Sequence, residues 1–167
     1  MVSALIPSKR VELGIEAVSN VPNAHLVVAG NGPLRHDIEA AAARLLPDRF
    51  TLLSVPAAQM PALYQSADVF LHLAKEESFG NVYLEATACG LPVVAPDTPR
   101  VRWIVGDNEF LVGSDDPVDI ANAINSASSA PPAQRQDRIT RAASFSWTKI
   151  AKLYQEFLQE IVGGVSV

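Results

Sequence analysis

Basic residues are scarce in this sequence, with 13 lysines and arginines against 18 acidic residues for a net charge of −5 over 167 residues. They are spread evenly, with 6 basic and 8 acidic residues in 1–83, then 7 and 10 in 84–167. No basic block marks a nucleic-acid surface, so nucleic acid is not an expected partner. There is one cysteine, Cys89, which excludes an internal disulfide and fits a reducing, cytoplasmic setting. No apolar run approaches the roughly 18 residues that would span a bilayer. The opening Met1–Pro7 has no basic residue ahead of its apolar stretch and meets Lys9 and Arg10 too soon for a signal peptide. Charged residues make up only 19% and apolar residues 49%, which excludes an acidic disordered chain and suits a single domain spanning 1–167 with a sizeable core.

What is present is an alternation of short apolar runs and helical patterns. Val2–Ile6 reads as a strand cut close to its beginning. A helix from about Arg10 to Val18 follows, with Val11, Ile15 and Val18 at helical spacing. His25–Ala29 is a second strand, stopped by Gly30-Asn31-Gly32-Pro33, where Pro33 suits the first turn of an Ala-rich helix running to about Leu46. Phe50–Ser54, Asp68–Leu73 and Pro92–Ala95 are further strands, and Phe110–Val112 is a candidate sixth. Short helices are expected over Met60–Ser66 and from Gly80 to Cys89, the latter ended by Gly90. Pro117–Ala127 and two closing helices complete the chain. The last, about Trp147 to Ile161, carries Ile150, Leu153, Tyr154, Phe157 and Leu158 as a packing stripe and ends before Gly163-Gly164. Strands that are continuously apolar are buried on both faces, which happens when helices cover a parallel sheet. The fold class is therefore α/β, a Rossmann-like doubly wound parallel sheet of about six strands with helices on both faces.

Ligands of such sheets collect at the carboxyl ends of strands, which singles out the loops Pro7–Arg10, Gly30–Pro33, Val55–Gln59 and Ala74–Asn81. The last is the richest, Lys75-Glu76-Glu77-Ser78-Phe79-Gly80-Asn81-Val82-Tyr83-Leu84-Glu85. The helix starting near Gly80 offers free N–H groups and the positive end of its dipole, an anion site of the kind that takes phosphate. A carboxylate would repel that phosphate, so Glu77 and Glu85 are expected to accept hydrogen bonds from sugar hydroxyls on either side of it. Glu85 is the stronger candidate, because its neighbours make the helix apolar nearly all round and a carboxylate there would be costly without a partner. Phosphate flanked by hydroxyls describes a nucleotide-sugar.

The stretch Glu77-Ser78-Phe79-Gly80-Asn81-Val82-Tyr83-Leu84-Glu85-Ala86-Thr87-Ala88-Cys89-Gly90-Leu91-Pro92-Val93-Val94-Ala95 closely resembles the glutamate-x7-glutamate signature of retaining glycosyltransferases of the GT-B fold, in the group-1 family. Ala29–Pro33, Pro7-Ser8-Lys9, Tyr64–Phe70 and Phe145-Ser146-Trp147 are similar to that family as well. What it covers is the family's C-terminal, donor-binding half. By that resemblance Glu85 holds the ribose hydroxyls and Glu77 a hydroxyl of the donor sugar, while the amides of Phe79, Gly80 and Asn81 meet the diphosphate and sugar. Lys9 neutralises the diphosphate, Gly30 and Gly32 form the glycine-rich loop, and Val55 holds the base through backbone groups. The implied reaction is hexosyl transfer from a nucleoside-diphosphate sugar, GDP-mannose or a UDP-sugar, to an acceptor hydroxyl. The donor is a substrate, and neither cofactor nor metal is expected. The implied partner is a missing N-terminal acceptor domain, with peripheral association at the inner face of the membrane through that half. The abrupt opening at Met1 is expected to be a boundary within a longer chain, and this domain alone is expected to be inactive. A non-catalytic nucleotide-sugar-binding module and a GT-B nucleotide-sugar epimerase are the alternatives.

Two departures bear on the diphosphate. Ala4 stands where the family commonly places a second arginine, so Arg10 is the candidate to share the charge, while Arg100 and Arg102, in the loop after the fifth strand, could reach in but read more readily as solvated loop cations. Trp103 stands where a glutamate is usual. His72, in the run Phe70–Leu73, reads more readily as a core residue than as a ligand contact, and His25 and His36 show no metal spacing. Gly30-Asn31-Gly32 lacks the third glycine and acidic residue of a dinucleotide fingerprint.

Overall fold

The computed structural model describes residues 1–163. Among the described residues five strands alternate with six α-helices, two more bring the α-helices to eight, and every strand pair is parallel. Helix α1 (Val11–Ser19) is followed by β1 (Leu26–Ala29), α2 (Arg35–Leu45), β2 (Phe50–Leu53), α3 (Met60–Gln65) and β3 (Phe70–Leu71). Then come α4 (Asn81–Ala88), β4 (Val93–Pro96), α5 (Pro99–Val105), β5 (Phe110–Val112), α6 (Pro117–Ser128), α7 (Gln134–Ala143) and α8 (Trp147–Gly163). The helix α8 runs through Gly163, and Gly164 lies outside the described residues. β1 pairs with β2 in register from Leu26↔Phe50 to Ala29↔Leu53, while β3, β4 and β5 form a second sheet in that order.

The sequence pattern predicts six strands and the structure has five, because Met1–Leu5 lies along β1 without becoming a ladder. Ala29 N–H donates to Met1 O at 2.9 Å and Ser3 N–H to Ala29 O at 3.1 Å, which makes a single parallel bridge between Val2 and Ala29. Beyond it the Gly30–Pro33 loop presses on the segment backbone to backbone. A Cβ on Gly30 would collide with Ser3 O, and one on Gly32 would stand 2.6 Å from Leu5 O. Glycine is required at both positions by this close approach.

Alternate side chains of β3 and β4 enter two separate cores, as the two-residue period of a strand dictates. Leu71 and Val94 point with Leu5, Ile15, Val28 and Ile38 into one core beneath α1, α2 and α6. Phe70, Val93 and Ala95 point with Tyr83, Ala86 and Ile104 into the other, beneath α3, α4 and α5. All four residues of β4 are buried, the signature of a strand covered on both faces. Helix α5 occupies the stretch read from sequence as a loop. Thr98 caps it by accepting a hydrogen bond from Val101 N–H, Pro99 takes its first turn, and Arg141 from α7 donates to the carbonyls of Ile104 and Trp103 at its end. No helix among the described residues is long and apolar enough to cross a membrane.

Candidate functional site

The loop between β3 and α4 forms one wall of a cleft of about 490 Å³, and the start of α5 forms the other. Lys75, Glu77 and Ser78 face Thr98, Pro99 and Arg100 across it, with Tyr83 also lining it. Gly80 turns the loop into α4 with φ of +83°, and a Cβ there would stand 2.7 Å from the Tyr83 ring, so both backbone and packing demand glycine. Among the described residues no side chain caps α4, which leaves its N-terminal amides to a ligand or water. Phe79 and Asn81 flank that turn. The Phe79 ring packs edge-on against Trp103 at 6.1 Å and Phe145 at 6.3 Å.

Glu77 is the centre of the arrangement. Its Oε1 accepts from Lys9 Nζ at 2.5 Å and lies 2.8 Å from His72 Nε2, which joins the 3-10 turn Pro7–Lys9 to the end of β3. Burial opposes ionisation of Glu77, but the bonds from Lys9 and His72 outweigh it and hold the carboxyl below its ordinary value. The site therefore holds an ionised carboxylate and an ammonium paired with each other at the entrance to an uncapped helix.

The four other cations near the cleft differ in what they touch. Arg10, in a left-handed conformation at φ +55°, pairs with Asp115 at 2.8 Å, and Lys75 pairs with the other oxygen of Asp115 at 2.7 Å. Arg102 is held by Asp97 at 2.6 Å and Asp107 at 3.1 Å. Arg100 donates to the backbone carbonyl of Glu77 and, among the described residues, has no carboxylate partner. It is thus the cleft-lining arginine with charge to spare, whereas Arg10 and Arg102 are committed to carboxylates.

Glu85 departs from expectation. It is exposed, on a face of α4 shared with Asn81 and Ala88, so burial does not force a partner on it. It has one nonetheless, since the buried Tyr64 donates to Glu85 Oε2 at 2.7 Å. Of the site residues expected from sequence, Glu77 lines the cleft, while Lys9, Phe79, Gly80, Asn81, Glu85, Gly30, Gly32, Val55 and Arg10 do not, Lys9 being tied to it through Glu77. Gly30 and Gly32 follow β1 and Val55 follows β2, at the carboxyl ends of the other sheet. Nothing in the sequence pattern marks Tyr64 or Asp115 for a role, and His72 reads there as a core residue. His72 is 1% exposed and so belongs to the core, yet it also touches Glu77. The signal for Arg100 was the Thr98-Pro99 pair, a cap followed by a first-turn proline, which places it on a helix facing the loop.

The model of the family described as glycosyl transferases group 1 matches residues 1–145. A GDP-mannose-dependent alpha-(1-6)-phosphatidylinositol dimannoside mannosyltransferase of Mycobacterium tuberculosis is 35% identical over 130 residues, covering 77% of this chain and 34% of that protein. A D-inositol 3-phosphate glycosyltransferase of Salinispora tropica is 38% identical over 125 residues, covering 70% of this chain and 26% of its own length. The chain thus spans about a third of the length of the curated relatives it matches. The fold is shared with the catalytic domain of cholesterol-alpha-glucosyltransferase from Helicobacter pylori, with a TM-score of 0.79 at 19% identity over 87% of this chain and 96% of that one.

Proposed function

The chain belongs to the group 1 glycosyl transferases, and from that premise we propose that it is the donor-binding domain of a retaining hexosyltransferase acting on a nucleoside-diphosphate sugar. The observation that carries this reading is the bond from Lys9 to Glu77, a cleft-lining carboxylate on the loop that leads through Gly80 into the uncapped helix α4. The α4 amides and Lys9 would bind the diphosphate, with Arg100 as the second cation in place of the arginine absent at position 4. Glu77 has one oxygen taken by Lys9 and His72, and its Oε2 would accept a hydroxyl of the donor sugar. Glu85, steadied by Tyr64, would accept the ribose hydroxyls, and the loops at Gly30, Gly32 and Val55 would complete the nucleotide side.

As the donor leaves its diphosphate, negative charge grows on the departing phosphate. Lys9, Arg100 and the α4 dipole would stabilise it, and interactions that strengthen in the transition state accelerate the step. A departing phosphate oxygen would take the acceptor proton on the same face of the sugar, which retains the anomeric configuration. No metal is assigned a part. GDP-mannose is the donor favoured, since one relative is a GDP-mannose-dependent enzyme. An acceptor domain would complete the enzyme. The apolar side of α8, where Leu153, Tyr154, Phe157 and Leu158 are all more than half exposed, supports that partner. The same face corrects the packing stripe predicted from sequence, because helical spacing shows that a helix has an apolar side without showing what covers it. We assign the complete protein to the cytoplasmic side of a membrane, on the strength of relatives named for lipid acceptors.

Calorimetric titration of UDP, GDP and ADP into this chain tests the assignment. At least one nucleotide should bind, and Lys9→Ala and Glu85→Ala should each weaken it. Failure of all three to bind would overturn it.

A further inference from the structure

A histidine at the end of an apolar strand has to account for two buried ring nitrogens. His72 stacks on Phe70 at 6.1 Å and meets the Tyr83 ring edge-on at 5.2 Å, so its plane is fixed between two aromatic side chains. Its backbone N–H donates to Val94 O at 3.1 Å, which fixes the Cα as well. Nε2 lies 2.8 Å from Glu77 Oε1, whereas Nδ1 is buried with no partner among the described residues. An ionised carboxylate can only accept, so Nε2 carries the hydrogen. An imidazolium would bury a second, unpaired N–H on Nδ1. The neutral tautomer with hydrogen on Nε2 is therefore the one the site selects, and burial, which pushes His72 below its ordinary value, favours the same form.

Glu77 needs such a partner for a reason internal to the site. In the free protein Lys9 and His72 share Oε1, and Oε2 accepts no hydrogen bond among the described residues. A diphosphate drawing Lys9 to itself removes one of those two restraints. Glu77 sits on a loop between exposed Glu76 and Ser78, and among the described residues nothing else bonds to its carboxylate. We propose that His72 is a positioning residue that keeps the Glu77 carboxylate fixed, with Oε2 turned to the donor sugar, once Lys9 has moved to the diphosphate. This rests on the reading of the cleft as a nucleotide-sugar site. His72 touches neither sugar nor phosphate and acts only through Glu77.

The consequence is specific to the sugar. Replacing His72 should lower affinity for a nucleotide-sugar and leave affinity for the bare nucleoside diphosphate almost unchanged, a split that a packing defect would not produce. The experiment titrates UDP-glucose, GDP-mannose, UDP and GDP into the wild-type chain, His72→Leu and His72→Gln, with thermal melts of each. Leucine fills the space without a donor, and glutamine keeps an N–H that reaches Glu77. For the nucleotide that binds, His72→Leu should weaken the sugar-bearing form about tenfold, as expected for loss of a hydrogen bond to a charged group. The bare diphosphate should stay within about twofold, and His72→Gln should recover most of the loss. Equal loss of both ligands, no loss of either, or a glutamine variant no better than leucine would overturn the positioning role. Wild-type protein that binds none of the four would overturn the site assignment and this inference with it. Nitrogen NMR of the wild-type imidazole gives a readout independent of any variant. The neutral form with hydrogen on Nε2 is expected with and without donor at neutral pH, and an imidazolium or a hydrogen on Nδ1 would contradict the proposal.

Discussion

Replacing Glu77 by Gln should make this protein bind a bare nucleoside diphosphate more tightly. In the free site the Lys9 ammonium donates to Glu77 Oε1 at 2.5 Å, with 19% and 16% of the two side chains exposed. An incoming diphosphate has to win that ammonium from a carboxylate and approach the carboxylate's own negative charge. An ion pair of this kind is worth about 1 kcal/mol. Glutamine has nearly the same shape and keeps an oxygen for His72, but it no longer competes for Lys9. Affinity for UDP or GDP should therefore rise about fivefold, and the gain should shrink in high salt. The increment added by the donor sugar should fall in the same variant, since the charged acceptor for its hydroxyl is gone. Calorimetry with the diphosphate and its sugar-bearing form reads both numbers. A Glu77→Gln protein that binds the bare diphosphate tenfold more weakly than wild type would refute the competition. The pair also has a pH signature. Burial pushes the Glu77 carboxyl up and the two donors pull it down further, so its folded value lies below the ordinary one. A depressed carboxyl stabilises the fold above the ordinary carboxylate range and loses that contribution as pH falls through the folded value. The stability margin of wild type over Glu77→Gln should accordingly shrink below about pH 4.

Other substitutions probe the frame around the site. Glu109 and Arg138 are 4% and 5% exposed and meet at 2.6 Å, with Glu109 also accepting from Val93 N–H at 2.7 Å. Arg138→Met strands that carboxylate and should cost about 3–5 kcal/mol, and adding Glu109→Gln should return more than half of it in thermal melts. Gly30→Ala should cost more than about 2 kcal/mol, because the new methyl meets Ser3 O, whereas Gly113→Ala, with nothing within 4 Å, should stay within about 0.5 kcal/mol in the same assay. Tyr64→Phe removes the 2.7 Å bond to Glu85 and should weaken UDP or GDP about fivefold by calorimetry while leaving the far-UV spectrum unchanged.

Local sequence carried the strand and helix order well because the signals there are local. The apolar runs at Leu26–Ala29 and Phe50–Leu53, and the proline-led start of α6, depend on a few adjacent residues. The stretch of α5 reads in the sequence as the loop after the fifth strand, although Thr98-Pro99 supplies a cap and a first-turn proline. Met1–Leu5 makes a single bridge to β1 rather than a ladder, a pairing with a distant segment that no local window holds. The start of α4 was legible because Gly80 and the apolar helix after it are adjacent in sequence. The pairing of Lys9 with Glu77 was not, since it joins residues 68 positions apart. Glu85 shows the limit of composition. Its neighbours are mostly apolar, yet positions 81, 85 and 88 share the exposed face of α4, and orientation decides its environment.

The donor-site assignment stands or falls on where the diphosphate lies. A crystal structure of this chain soaked with the nucleotide that binds, as its sugar derivative, is the direct measurement. Density for the diphosphate should lie between Lys9 Nζ and the first turn of α4, with Lys9 released from Glu77 and His72 still bonded to it. Density elsewhere with the 2.5 Å Lys9–Glu77 pair intact at saturating ligand would contradict it.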